Sequence, residues 1–249
     1  VQQLRLPGLK DDRRNVVAGG LCILYTLLTL FGIERLHPAK GALRQGLVFD
    51  LAERLKLHDH QASRDLREPT VQAVQQRFGV DQAQAQRVRR LAEQLHMQLA
   101  PDADAEQQLE LGWTAAWHEL GTLVSHHDHH RHSQYLIGHL DAPGFSQNQL
   151  RRMALLALGQ RGGLRKLEAE LAQDDALLWQ LRALRLALIK CHARAPIEAA
   201  RMQVQRQGRV VQVQMSEGWA KAQPQAHYLL REESTAWAKT GLIELKLAA

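Results

Sequence analysis

The apolar residues of this chain keep a helical period almost to Pro196 and then abandon it. Val88, Leu91, Leu95 and Leu99 in "VDQAQAQRVRRLAEQLHMQLA" share one helical face, and Leu43, Leu47, Leu51 and Leu55 recur at four-residue spacing in "ALRQGLVFDLAERLK". "EPTVQAVQQRFG" reads as a helix stopped by Gly79, and "ELGWTAAWHELGTLV" as an apolar helix carrying His118 and Glu119. "DAPGFSQNQLRRMALLALGQ" reads as a loop and then a helix capped by Ser146. "DDALLWQLRALRLALIKCHARA" is a long helix with a strong apolar face. Beyond Pro196, "RMQVQRQGRVVQVQM" alternates apolar and polar residues, the period of a strand, and predicts a hairpin turning at Gln207-Gly208. "AHYLLREESTAWAKTG" then predicts a helix and "LIELKLA" a last strand. The expected fold is mainly α, with a small α+β lobe of β-β-α-β order at the end.

The chain is 45% hydrophobic but only 5% aromatic, which suits helices packed on helices. Near its start, "PGLKDDRRNVVAGGLCILYTLLTLFG" predicts a loop and a buried helix, with Asp11 or Asp12 as cap and Gly32 as stop. The uncharged run 16–33 is at the lower limit of a membrane span, yet three glycines and arginines on both flanks favour a core helix and no membrane. Gly19-Gly20 suits close helix packing or the approach of a nucleotide-like ligand. "IERLHPAKG" suggests a short strand and turn. The polar stretch "LHDHQASRDLREP" marks a boundary, giving expected domains at 1–60, 61–196 and 197–249. Cys22 and Cys191 lie far apart, show no metal spacing, and read as free thiols of a reducing, cytoplasmic compartment. The opening "VQQLRLPGLK" reads as the interior of a longer protein.

"SHHDHHRHSQYLI" places His126, His127, His129, His130 and His132 within seven positions, around Asp128 and Arg131. Three uses compete: contacts to a polyanion, ordinary solvated or structural histidines, and a metal site. The spacing is too compressed for a zinc finger and is not H-E-x-x-H. A helix through the run would pair His126 with His130, two ligands and not a site. A net charge of +6 with thirteen histidines in reserve points to a polyanionic partner without saying which. Arg151 with Arg152, and Arg161 with Arg165 and Lys166, are solvated helix faces or a basic track.

"AAWHELG" looks like the helix that bears the His-Asp pair in metal phosphohydrolases of the HD type, with His118 followed by Glu119 in place of Asp. By the same resemblance, Gln84 stands where a first ligand belongs and Leu188 where a last one does. Leucine has no donor atom and glutamine is a poor ligand for transition metals, so no metal is expected here. His118 is then a core histidine, kept neutral by burial.

The full run of motifs is more specific. "LPGLKDDRRNVVAGGLCIL…GALRQGLVFDLAERL" resembles the closing part of the actin-like phosphatase region of exopolyphosphatases and guanosine-pentaphosphate phosphohydrolases. "WHELG…HRHSQYLIGHLDAPGFS" resembles their HD-like third domain, and the β-β-α-β tail their small fourth one. The resemblance covers essentially the whole chain, in order. It implies the last helices of an actin-like domain, an HD-like helical domain and a small α+β domain. It also implies a family that cleaves terminal phosphate from polyphosphate or guanosine pentaphosphate, with its phosphate loops, catalytic carboxylate and magnesium in an N-terminal half outside this sequence. The C-terminal half would bind the polyanion and form a homodimer. Candidate contacts are His126, His127, His129, His130, Arg131, His132, Arg161, Arg165 and Lys166. Protonated histidines would add affinity below about pH 6.5. There is one departure: where the family often has an Arg-Tyr-His-Arg-like run, this chain has Leu158, Gly159, Gln160 and Arg161, and only the arginine remains. The expected role is therefore binding without catalysis of its own, and no cofactor in this chain. The rivals are a stand-alone HD-type metal phosphohydrolase and a basic regulatory binding module. No RNA-binding motif or aromatic platform favours nucleic acid.

Overall fold

The computed structural model describes residues 14–36, 47, 65–194, 202–215 and 218–248. The chain forms two compact units, 1–63 and 64–249.

In the first unit, α1 (Arg14–Leu30) is apolar on nearly all sides. It ends as the sequence predicts. Gly32 adopts φ +60, the Ile33 N–H donates to the Leu28 carbonyl at 2.9 Å and the Gly32 N–H to Thr29 at 3.4 Å, a Schellman closure. That closure leads into an irregular segment, so Ile33 to Leu36 form no strand, contrary to expectation. The caps proposed at Asp11 or Asp12 lie outside the described residues, as does the 41–55 helix apart from Leu47, which is helical. Nothing among the described residues approaches Gly19 or Gly20. No helix of the described residues is long and apolar enough to cross a membrane.

The second unit holds α2 (Arg67–Arg77), α3 (Gln82–Leu99), α4 (Ala105–Ala116), α5 (His129–His139), α6 (Gln147–Gly159), α7 (Glu168–Gln173) and α8 (Asp175–Lys190). Four of their seven starts are written in short polar side chains. Asp81, Asp104 and Asp174 each accept a backbone N–H of the first turn, and Ser146 forms a reciprocal capping box with Gln149. Helix α8 is the centre: every residue from Leu177 to Ala187 is buried. One apolar cluster runs from Val88, Leu91, Leu95 and Leu99 of α3 through α8 into the terminal lobe. A second lies under α2, α4, α5 and α6, where Trp113 meets the Phe145 ring edge-on at 5.0 Å between centroids.

The lobe follows the expected β-β-α-β order: β1 (Met202–Gln207), β2 (Val210–Met215), a single turn α9 (Trp219–Ala222), α10 (Pro224–Ala238) and β3 (Glu244–Ala248). The sheet is mixed, with β2 central, antiparallel to β1 and parallel to β3. The hairpin loop is Gly208-Arg209, one residue later than predicted, because Gln207 still pairs with Val210 and Gly208 takes φ +60. The alternation does its work here. Met202, Val204, Val211, Val213 and Leu245 are buried in the shared apolar cluster, and the glutamines between the strand valines are mostly exposed. Arg206 ties β1 to the helices, donating to the Leu99 carbonyl at 2.8 Å with its guanidinium 3.9 Å from the Trp179 ring centre.

Candidate functional site: a cavity lined by Gln84, His118, Glu119 and Leu188

Helix α4 ends one turn earlier than the sequence suggests. The Trp117 N–H is shared between the carbonyls of Trp113 and Thr114, and the Leu120 N–H returns to Trp117. His118 and Glu119 therefore sit on a tight turn after the helix, not on it. That turn is pinned through the His118 carbonyl, which accepts Ser133 Oγ at 3.1 Å and Gln160 Nε2 at 2.9 Å. Gly121 completes the arrangement by donating its N–H to Ser133 Oγ at 2.9 Å. A Cβ on Gly121 would lie 2.0 Å from the His129 carbonyl oxygen, so only glycine admits α5 so close. The "WHELG", "HRHS" and "LGQR" stretches are thus one connected structure.

Gln84, His118, Glu119 and Leu188 all line one cavity of about 1130 Å³. His118 is 2% exposed. Its Nδ1–H donates to the Ala115 carbonyl at 2.7 Å, which leaves the Nε2 lone pair free, 3.8 Å from Glu119 Oε1. Burial holds the imidazole below its ordinary pKa, against the opposing pull of Glu119, so it is neutral. Glu119 is engaged by Arg194 at 2.5 Å, which also reaches Asp81 at 2.7 Å. Both ends of the Gln84 amide are engaged: it donates to the Cys191 carbonyl at 2.9 Å and accepts from Arg87 at 3.0 Å. Cys191 is a buried free thiol whose pKa burial pushes up to about 12, and Cys22 is free and exposed. No group of three His, Cys, Asp or Glu among the described residues is placed to hold a metal.

The basic candidates divide. His129, Arg161 and Arg165 line the cavity. Arg131 is exposed, and the one carboxylate within 4 Å of it among the described residues is Asp128 at 3.7 Å. Arg185, which the sequence reading missed, sets the 159–163 loop by donating to the carbonyls of Gly159 at 2.6 Å and Gly162 at 3.1 Å. Lys166 donates to the Arg161 carbonyl at 3.0 Å. Burial, then the charges of Arg185 and Arg131, push Lys166 down to about 8.

The histidine run is not one helix face. Asp128 adopts φ +54 and α5 begins at His129, so His126 and His127 stay exposed on the preceding turn, and no i, i+4 pair with His130 forms. His132 is half-buried against Gly121. His130 is 6% exposed, and burial with the nearby Lys166 charge pushes it down to about 4. Burial and the charge of Arg161 also lower His129. The His130 ring therefore stays neutral in mild acid, so no acid-gated cation forms at that position.

Arg152 is not a solvated face. It bridges Glu110 at 3.0 Å, Asp174 and the Gln180 amide oxygen at 3.1 Å. The lobe is held by another buried group. Glu233 of α10 receives Arg185 at 2.6 Å, Arg182 at 3.0 Å and Trp237 Nε1 at 2.7 Å. The signal for it was visible: two arginines interrupt the apolar face of "LRALRLALIK".

Residues 66–234 match the family described as Ppx/GppA phosphatase, domain III. The guanosine-5'-triphosphate,3'-diphosphate pyrophosphatase of Pseudoalteromonas translucida is 31% identical over 250 aligned positions, covering 97% of this chain and 48% of that protein. That of Photobacterium profundum is 32% identical with the same coverage. That of Vibrio vulnificus is 30% identical over 230 positions, 90% of this chain and 45% of the relative. The chain spans about half the length of these curated relatives.

Proposed function

Because the chain belongs to the Ppx/GppA phosphatase family, we propose that it is the C-terminal, polyanion-binding and dimerisation portion of an exopolyphosphatase-type phosphohydrolase acting on polyphosphate or guanosine pentaphosphate, without catalysis of its own. In this reading residues 1–60 close an actin-like domain, 61–196 form an HD-like domain, 197–249 form the small terminal domain, and the protein works in the cytoplasm. The observation that carries it is a pair of arginines on the cavity lining that make no ion pair among the described residues, although Glu168 and Glu232 line the same cavity. Arg161 and Arg165 are exposed beside the cavity with no ion-pair partner among the described residues, and Lys166 and Arg131 add to the same field. Guanidinium groups without a counter-charge suit phosphate oxygens. The four HD-pattern positions support the lack of metal chemistry: Leu188 offers no donor and the Gln84 amide is already used. The four HD-pattern positions also offer no free oxygen set to magnesium, implied for the whole phosphohydrolase: Glu119 is tied to Arg194, the Gln84 oxygen accepts from Arg87, and His118 and Leu188 bring no side-chain oxygen.

The test is titration of the chain with long-chain polyphosphate at several salt concentrations. Arg161→Ala/Arg165→Ala should weaken binding about tenfold and lower the salt slope by about one to two units, since each lost cation releases fewer counterions. Arg151→Ala, on the exposed side of α6, is the control. Sedimentation of the same samples reads the dimer. Equal binding by parent and double variant would remove the two arginines from the proposal.

A further inference from the structure

Arg185 lies within α8 and is 6% exposed. Its guanidinium is shared between two parts of the fold. Nε donates to Glu233 Oε1 at 2.8 Å and Oε2 at 3.0 Å, and Nη2 donates to Oε2 at 2.6 Å, a bidentate grip on α10 of the terminal lobe. The third nitrogen, Nη1, donates to the carbonyls of Gly159 at 2.6 Å and Gly162 at 3.1 Å. One planar cation thus ties the lobe to the loop that follows α6.

That loop has few bonds of its own. Gly159 closes α6, and the last carbonyls of a helix have no donor within it, so Arg185 supplies one. Residues 161–163 make no backbone–backbone hydrogen bond among the described residues, and Gly162 takes φ +76. The Gln160 amide holds to the His118 carbonyl, and Lys166 to the Arg161 carbonyl. Arg161 inside the loop and Arg165 just beyond it both line the cavity. The lobe end is fixed as firmly. Glu233 is 3% exposed, and its Oε1 also accepts from Arg182 at 3.0 Å and from Trp237 Nε1 at 2.7 Å. Helix α10 lines the same cavity through Tyr228, Glu232 and Lys239.

We propose that Arg185 is a positioning residue: through it the terminal lobe sets the course of the 159–163 loop, and so the place of Arg161 on the cavity lining. This rests on the anion-binding role proposed above for Arg161 and Arg165. All three guanidinium nitrogens of Arg185 are engaged within the protein, so it acts through the loop and not as a phosphate contact. The terminal lobe is then part of the anion site, although the group it sends there is a carboxylate.

The test turns on sign. Glu233 lines the cavity, so by charge alone Glu233→Gln should tighten polyphosphate binding. If Glu233 sets the loop through Arg185, the same change should weaken binding about fivefold, a coupling of the size found between residues of one hydrogen-bond network. Arg185→Lys keeps the charge but cannot grip a carboxylate and two carbonyls at once, and should weaken binding by a similar factor. Both changes are repeated in the Arg161→Ala/Arg165→Ala background, where a positioning role predicts no further loss. Urea unfolding sets conditions in which each protein is folded, and Arg185→Lys decides if Glu233→Gln does not fold. If the arginine double variant binds like the parent, there is no anion site here to position and both proposals fall. If it binds more weakly, but Glu233→Gln binds at least as tightly as the parent or Arg185→Lys binds like it, the anion site stands and the relay is wrong. Equal losses in both backgrounds would make Arg185 an independent contact and overturn its positioning role.

Discussion

Two sets of basic residues in the second unit have opposite surroundings. On the flank built from α2, α3, α4 and α6, three arginines each lie between two carboxylates. Arg67 meets Asp65 at 2.8 Å and Glu106 at 2.5 Å, Arg89 meets Glu68 at 2.8 Å and Glu93 at 3.0 Å, and Arg152 meets Glu110 and Asp174. Around the cavity, Arg161 and Arg165 make no ion pair among the described residues, Arg131 meets Asp128 at 3.7 Å, and Lys166 is crowded enough by burial, Arg185 and Arg131 to titrate near 8. Between the two sets stands the wholly buried trio of Arg182, Arg185 and Glu233. Fully paired charge is spent on holding helices together. Charge assembled without partners costs the fold something and remains available to a ligand. If this division is real, substitutions in the three places should differ in kind.

The largest effect belongs to the buried trio. Glu233→Gln would leave Arg182 and Arg185 without their counter-charge, and Arg182 already has Nε and Nη2 without partners. The expected loss is about 3–5 kcal/mol of unfolding free energy, read by urea denaturation. Acid should distinguish the two proteins as well. Burial alone would raise the Glu233 pKa, but Arg185, Arg182 and Trp237 hold it below the ordinary carboxylate value. A carboxylate with a lowered folded pKa adds stability above its unfolded value, and that stability is lost as pH falls through the folded one. The parent should therefore lose this increment in acid, and the variant should not. A loss below about 1 kcal/mol would mean that α10 is held by its apolar contacts alone.

An intermediate effect is expected at Arg152→Ala. The guanidinium is partly exposed, but it leaves behind the Glu110 carboxylate, whose side chain is 7% exposed, and one acceptor of Gln180. Losing one partner of a mostly buried pair should cost about 2 kcal/mol. Thermal unfolding gives the number. A neutral result would class Arg152 with the cavity set and erase the contrast.

Much of this was legible in the sequence because it is local. Capping by Ser146, the stop at Gly32, the stripe from Val88 to Leu99 and the alternation of the tail each depend on a few neighbouring residues. The family motifs carried the identity of the fold region. What could not be read were partners distant in the chain. "RR" at 151–152 looks uniform, yet Arg151 is solvated and Arg152 reaches residues 110 and 174. His130 and Arg131 are adjacent, yet one is buried and neutral and the other exposed and charged. The exit of α4 before His118 depends on a carbonyl hub whose donors come from residues 133 and 160. Gln160 reads in sequence only as part of a departure from the family's Arg-Tyr-His-Arg-like run, and its place on the His118 carbonyl is a contact 42 residues away.

The smallest effect on stability is expected where the effect on binding should be greatest. Arg161→Ala/Arg165→Ala removes two exposed side chains that make no ion pair among the described residues, while the loop carbonyls remain held by Arg185 and Lys166. Surface changes away from structural contacts stay within about 0.5 kcal/mol. Relief of positive charge near His129, whose pKa Arg161 helps to lower, could only move the balance toward the folded state. Urea unfolding of this variant beside Arg152→Ala is the direct comparison, and both proteins lose arginine from the same unit. If the double variant is destabilised as much as Arg152→Ala, the cavity set is a structural network whose partners lie among residues beyond those described, and its charge does not await a phosphate. If it unfolds like the parent and yet binds polyphosphate more weakly, the two basic regions differ in what their charge is for.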